Sequence, residues 1–483
     1  MARHSRRQFL RVTAIGSAGF VLGCGDPRVV GVGDADAGVI DSPDAGGLTS
    51  DAGVVRPDDA GVDAGVRPDE PEQLSESFNF PLGLASGDVE ATRAVLWTRF
   101  DGSNPLRLRV WRMEGEVFAE RVADERVLPG DGGFVHLDVS GLEAGAPYRY
   151  AFFEENMAGE LVSRSRIGKF RAAFAAGTKA PLTVAGCSCT RQGRTPSPIL
   201  RAGERDDIDV FLMLGDSSYN DDVDSLSEYR TQWAANLGGP EYRTLRASTS
   251  LLATWDDHEV TNDFNPETIS ASRLANARKT YFESNPLRRD SVDPDRLWKS
   301  VKWGDTAEFF VLDSRSERKP STRFNGSPQI YLSVAQMNWL KGALAASTAV
   351  FKVILNSVPI TDFGFSVFTG DSWLSYREQR SELLGHIEDQ NIQGVVWVSG
   401  DHHFGSVGWV AATGRGAGAL EILAGPGAQT ANPAYALLRP PRWPFATGTN
   451  NYVTLHLEPV SRELRVAFHD GAGMELFSKT YTR

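Results

Sequence analysis

From residue 181 onward the chain repeats one pattern, a short apolar run that ends in a burst of polar residues. Leu182 to Gly186 runs into Cys187-Ser188-Cys189, Val210 to Leu214 into Gly215-Asp216-Ser217-Ser218-Tyr219, and Leu251 to Trp255 into Asp256-Asp257-His258-Glu259. The pattern returns with Ala307 to Leu312 before Asp313-Ser314-Arg315, Lys352 to Leu355 before Asn356, and Val395 to Val398 before Ser399-Gly400-Asp401-His402-His403. Short continuous apolar runs fit strands buried on both faces, as parallel sheets require. Between them, apolar residues at helical spacing predict helices over Ser333–Ala345 and Arg377–Ile387. Strand alternating with helix predicts an α/β domain over residues 177–483. Ligands of such sheets gather beyond the carboxyl ends of the strands, so the polar bursts predict one convergent site.

Upstream the rhythm shortens. Ala94–Arg99, Leu106–Trp111 and Val135–Val139 alternate apolar and polar positions, as half-buried strands do. A turn at Gly141–Gly145 then leads into Pro147–Phe153, whose Tyr148-Arg149-Tyr150 resembles the tyrosine corner of immunoglobulin-like sandwiches. An immunoglobulin/fibronectin-like β-sandwich is therefore expected over residues 73–176, with a packing rather than a catalytic role. β-type segments also follow Gly418, among them Tyr452–Leu457 and Leu464–Phe468, and are expected to extend the second sheet.

The first seventy or so residues follow neither rhythm. Ser5-Arg6-Arg7-Gln8-Phe9-Leu10 resembles a twin-arginine export signal, and the apolar stretch Val12–Leu22 is too short for a comfortable membrane span. Val21-Leu22-Gly23-Cys24 resembles a lipobox, so residues 1–24 predict an exported, lipid-anchored protein, periplasmic or at the cell surface. Residues 25–72 repeat Asp-Ala-Gly without an aromatic residue and cannot bury enough apolar surface to offset ordering, which predicts an extended acidic spacer. The net charge of -12 argues against a general nucleic-acid binder. The chain has three cysteines, Cys24, Cys187 and Cys189. The last two are too close along a strand to bridge readily, so they are either buried thiols or metal ligands.

The groups brought together by the bursts are carboxylates (Asp216, Asp257, Asp401), imidazoles (His258, His403), a phenol (Tyr219), a thiol and an amide (Asn356). Several buried carboxylates in one cleft repel one another and call for cations. Oxygen donors suit hard cations, whereas thiolate and imidazole suit a transition metal, so the mixed set suggests two unlike metals. Paired metals are a common device for hydrolysing phosphate esters.

The ordered series of motifs resembles the PhoD-like alkaline phosphatases, relatives of the purple acid phosphatases among the metallophosphoesterases. Phe80-Pro81-Leu82-Gly83-Leu84-Ala85-Ser86-Gly87-Asp88 and Val95-Leu96-Trp97-Thr98-Arg99 resemble that family's N-terminal domain. Ala185-Gly186-Cys187-Ser188, Gly215 to Tyr219, Trp255 to Val260, Leu312-Asp313-Ser314-Arg315 with Arg318, Asp371-Ser372-Trp373 and Ser399 to His403 resemble the remainder in order. The resemblance implies a two-sheet metallophosphoesterase fold and an Fe3+ site held by Cys187, Asp216, Tyr219 and His403. Asp216 would bridge to one or two Ca2+ ions completed by Asp257 and Asp401. Asn356 would be a weaker ligand or phosphate contact, Asn262 a softer catalytic candidate, and His258 would face the phosphate and its leaving oxygen. Cys187 is favoured over Cys189 because it directly follows the strand and glycine. His402 is expected to point away from the site, Arg315 and Arg318 to pair with Asp313, and Trp373 and Tyr376 to border the cleft. The implied activity is hydrolysis of small phosphate esters by a monomer. A phosphodiesterase or phospholipase D-type hydrolase and a non-catalytic calcium- or phosphate-binding lipoprotein remain open beside it.

Overall fold

A computed structural model describes residues 73–324, 328–364 and 370–483. The export-signal and spacer segments, residues 1–24 and 25–72, lie outside the described residues.

The six apolar runs all form strands, and they divide between two sheets. Leu182–Cys187, Val210–Leu214 and Ser250–Thr254 pair in parallel at the centre of a nine-stranded sheet. Ala307–Val311, Phe351–Asn356 and Val395–Ser399 pair in parallel within a seven-stranded sheet, with Leu420–Leu423 parallel beside them. Register aligns the strand ends: Leu214 lies opposite Thr254, and Asn356 opposite Ser399. The polar bursts therefore leave the two sheets at one end of the molecule.

Side-chain alternation explains why these runs are apolar throughout. Leu212 and Leu214 face the second sheet, where they pack with Phe309, Val311, Val353, Leu355, Val396 and Val398. Their neighbours Phe211 and Met213 face outward onto Trp233, Leu237, Tyr242, Leu245 and Tyr281 of the helices Leu226–Leu237, Pro240–Ser248 and Ala271–Ser284. On the far side, Phe310, Ile354 and Trp397 pack under the helices Val334–Ala346 and Arg377–Asp389. Burial of each such large apolar side chain contributes about 1.5–3 kcal/mol, which makes the doubly covered strands the rigid part of the fold. Ser333 caps its helix by accepting the Gln336 N–H at 3.2 Å. The result is an α/β sandwich of two sheets with helices on both outer faces.

The N-terminal segment forms a β-sandwich, but one of its two faces is shared. Val117–Val127, Leu106–Glu114, Pro147–Glu155, Leu161–Arg164 and Gly168–Arg171 make a separate small sheet. Its Leu106, Leu108, Tyr148 and Phe170 pack against Leu84, Leu96 and Val135. Those three belong to Leu84–Gly87, Arg93–Arg99 and Phe134–Ser140, which extend the nine-stranded sheet itself. Leu84–Gly87 runs parallel to Ser250–Thr254, with Ser86 opposite Ser250 and Gly87 opposite Leu251. The tyrosine corner is present: Tyr148 Oη accepts the Glu143 N–H at 2.7 Å.

The C-terminal strands part from expectation. Phe445–Thr447 joins the seven-stranded sheet, but Asn451–Glu458, Glu463–Asp470 and Glu475–Thr482 complete the nine-stranded one. Asn451–Glu458 pairs antiparallel with Leu182–Cys187, Thr454 lying opposite Ala185. An alternating sequence specifies which side chains face a core; it does not specify which strand will be the neighbour.

Candidate metal centre

The site begins with tight turns at the strand ends. Gly215 has φ 96°, and a Cβ there would lie 2.5 Å from Asp256 Cβ, so only glycine lets the second and third polar bursts touch. The buried Glu259 carboxylate then joins those turns by accepting the backbone N–H groups of Asp216 (3.0 Å), Ser217 (2.5 Å) and Asp256 (2.8 Å). Asn236 Nδ2 ties in the turn after Cys189 by donating to the carbonyls of Thr190 and Ser217, both at 2.6 Å. Cys189, Asp216, Asp401 and His403 all adopt left-handed backbone, with φ of 56°, 57°, 65° and 55°. Non-glycine residues hold that conformation at a cost, and such residues concentrate at functional sites.

Among the described residues three sets of carboxylate, imidazole and thiol donors result, each with its atoms within 4.8 Å of one another: Cys189 with Asp216 and His403, Asp216 with Asp257 and His258, and Asp256 with Asp257 and Asp401. Asp216 belongs to two of them and Asp257 to two. Tyr219 Oη donates to Asp216 Oδ2 at 3.2 Å, and its ring lies 4.0 Å from the His258 ring. Of the residues singled out from sequence, Asp216, Tyr219, Asp257, His258, Asp401 and His403 thus meet in one place. Asn262 lies beside them: its backbone N–H donates to Asp221 Oδ1 at 2.8 Å, and its Nδ2 donates to Asp263 Oδ2 at 3.0 Å.

Four expectations change. The thiol at the site is that of Cys189, not Cys187. Cys187 is still within its strand, where its side chain falls on the helix-covered face and its Sγ donates to Asn451 O at 3.3 Å. Asn356 ends its strand buried, its Oδ1 accepting from Ser314 Oγ and its Nδ2 donating to Val358 O. His402 does not turn away; its Nδ1 lies 2.7 Å from Asp401 Oδ2, and its ring packs by Phe363 and Phe404. Arg315 does not pair its guanidinium with Asp313, which instead accepts the Arg315 backbone N–H at 3.1 Å. The guanidinium, fully buried, binds Asp256, Asp371 (2.5 Å) and Asp401 (2.9 Å). Arg318 likewise faces Asp371, 3.8 Å away. Trp373 and Tyr376 lie behind this carboxylate layer, buried against Tyr331 rather than open to a cleft.

Sequence reasoning passed over Asp256, Glu259, Asp371 and Asp221. The aspartate doublet was visible, but adjacent side chains of an extended segment point apart, and only the tight turn brings both inward. Asp221 carried no signal beyond its place in a polar run. Its Oδ1 is 2.6 Å from His258 Nδ1.

The electrostatics favour cations. Burial, then Cys189, Asp256, Asp257 and Glu259, push the Asp216 carboxyl well above the usual carboxylate range. Burial also raises Asp256, against the opposing pull of Arg315. Burial works against ionised Asp401, but Arg315 and His402 hold its carboxyl low. For His258, burial disfavours the imidazolium, yet Asp257 and Asp221 outweigh it and push the ring up to about 9. Asp256 Oδ2 is buried without a hydrogen-bond donor among the described residues, a costly arrangement unless a cation meets it. The residues fit such ions. Thiol, imidazole, phenol and carboxylate around Cys189, Asp216, Tyr219 and His403 suit a transition metal, and the oxygens of Asp216, Asp256, Asp257 and Asp401 suit a harder cation.

Comparison with known proteins agrees with this architecture. The chain is 27% identical over 383 residues to alkaline phosphatase D of Bacillus subtilis, spanning 68% of this chain and about 65% of that protein. Among solved structures, that of PhoD superimposes with a TM-score of 0.71 at 22% identity, covering 84% of this chain and 90% of that one. A purple acid phosphatase, PPD1 from yellow lupin (Lupinus luteus) seeds, superimposes with a TM-score of 0.62 at 14% identity, covering 83% and 74%. Residues 66–174 match the N-terminal domain of PhoD-like phosphatases, and residues 182–451 match the PhoD-like phosphatase family. The chain belongs to the PhoD-like phosphatase family.

Proposed function

We propose that this protein is a metal-dependent phosphoesterase of the alkaline phosphatase type, acting on small phosphate esters through a dinuclear centre. The observation that carries the reading is the sharing of Asp216 between two donor sets, one with Cys189 and His403, the other with Asp257 and His258. Bound metals would supply Lewis acidity and neutralise the charge of the phosphoryl group. Cys189, Asp216, Tyr219 and His403 would hold Fe3+; Asp216, Asp256, Asp257 and Asp401 would hold Ca2+. His258, beside the bridging carboxylate, stands where it can give a proton to a leaving oxygen. Residues 1–24 and 25–72 support, from sequence alone, twin-arginine export and a lipid-anchored spacer, with the enzyme acting as a monomer outside the cytoplasm.

The test is turnover of 4-nitrophenyl phosphate and bis(4-nitrophenyl) phosphate by the purified protein, with and without added calcium, together with elemental analysis. Wild type should turn over one or both esters and contain iron. Asp216→Asn should lower the rate at least a hundredfold and deplete both metals. Near-normal rates with both metals retained would overturn the shared-carboxylate reading, and a metal-free, inactive wild type would overturn the function.

A further inference from the structure

The Cys189 thiol and the Tyr219 phenol come from different polar bursts, and residues 189–192 tie the two together. The backbone begins the tie: the Cys189 N–H donates to Gly215 O at 3.2 Å and the Thr190 N–H to Asp216 O at 3.0 Å. The Gln192 side chain then continues the pairing where the backbone stops. Its Nε2 donates to Tyr219 O at 2.6 Å, and its Oε1 accepts the Tyr219 N–H at 3.0 Å. Nε2 also donates at 2.8 Å to Oε1 of Gln232, on the helix Leu226–Leu237, which anchors the amide from behind. Held through both of its main-chain groups, Tyr219 brings Oη to within 3.2 Å of Asp216 Oδ2. Its ring is confined on its faces by His258, 4.0 Å away, and by the Arg191 guanidinium, 5.6 Å from the ring centre.

We propose that Gln192 is the positioning residue of Tyr219, seating its phenol oxygen beside Asp216 so that Cys189 and Tyr219 present donors to one ion. This rests on the reading that Cys189, Asp216, Tyr219 and His403 hold Fe3+. A carboxamide suits the task because it offers a donor and an acceptor at the spacing of a peptide group, and so meets both main-chain groups of Tyr219 at once. Groups outside a ligand set orient the ligands and tune the metal they bind. Charge transfer from a phenolate to ferric iron depends on how the phenol oxygen is held, so the visible band reports the seat of Tyr219 directly. A contribution to folding alone leaves that band unchanged.

Gln192→Met, Gln192→Glu, Tyr219→Phe and the double variant Gln192→Met/Tyr219→Phe are to be loaded with iron and compared by visible absorbance per bound iron, elemental analysis and Tm. Gln192→Met should keep iron through Cys189, Asp216 and His403, yet lose at least half of the absorbance per iron or shift the band. Gln192→Glu keeps the acceptor for the Tyr219 N–H and loses the donor, and should fall between Gln192→Met and wild type. The double variant should match Tyr219→Phe. Wild-type absorbance per bound iron in Gln192→Met, whatever its Tm, would overturn the proposal. So would loss of iron from Gln192→Met where Tyr219→Phe retains it, because Gln192 would then act through more than Tyr219. Should Gln192→Met fail to fold, Gln192→Glu decides by the same comparison. A spectrum that Tyr219→Phe leaves unchanged would overturn the reading of Tyr219 as an iron ligand, and the proposal with it.

Discussion

Two cysteines one residue apart meet different surroundings. Cys187 ends its strand and lies against the helix-covered core; Cys189, after the chain turns at φ 56°, brings its sulfur to Asp216 and His403. Cys189→Ser is expected to deplete the metal of that set and to weaken or shift the visible absorption of iron-loaded protein. Cys187→Ser should leave metal content and spectrum unchanged and lower Tm only modestly. Elemental analysis and absorption spectra separate the two, and the reverse result would return the ligand to Cys187. The residue types of the site were legible in the sequence because each follows an apolar run. Which cysteine faces inward was not, because that depends on a single left-handed residue. Arg315 was illegible for a related reason: its partners Asp256, Asp371 and Asp401 come from three separate segments. Arg315→Met leaves those buried carboxylates without the guanidinium and should cost about 3–5 kcal/mol in denaturant unfolding. Added calcium should recover part of that loss, since a cation that binds the folded state stabilises it.

At the scale of elements, all six apolar runs became strands and both predicted helices formed within two residues of expectation. Periodicity records burial, and burial is what these elements share. The assignment of flanking strands to sheets was not legible. Leu84–Gly87 joins the nine-stranded sheet because Gly87 lets it approach closely: a Cβ there would meet Pro286 O at 2.5 Å and Leu251 O at 2.9 Å. Both obstacles are backbone and cannot rotate away. Gly87→Ala should therefore destabilise the protein by about 1–3 kcal/mol, as overpacking does. Gly342, inside the helix Val334–Ala346, has open space where its Cβ would be, and Gly342→Ala should stabilise by about 0.5–1 kcal/mol. Urea midpoints of the two variants should move in opposite directions.

At the scale of the molecule, the N-terminal sandwich and the nine-stranded sheet are one structure. Leu84–Gly87 hydrogen-bonds to Ser250–Thr254, and the polar burst that supplies Asp257 and His258 follows directly from that strand. A fragment of residues 177–483 would expose this central strand as an unpaired edge and uncover Leu84's side of the core, which invites aggregation. Such a fragment is expected to be insoluble, or to lack a cooperative thermal transition by circular dichroism. A soluble, cooperatively folding fragment would show that the shared sheet is dispensable.

The strand Leu182–Cys187 lies between Val210–Leu214, which follows closely in sequence, and Asn451–Glu458, which comes near the other end of the chain. During synthesis one side of this strand can be covered early, while the other waits until Asn451–Glu458 has been made. Contacts between such distant segments form slowly. The strand that delivers Cys189 is thus completed late, and the set of Cys189, Asp216 and His403 is not held on both sides until Asn451–Glu458 is in place. Tight retention of metal by the first set would then report that the chain has been made through Asn451–Glu458 and that this strand has docked.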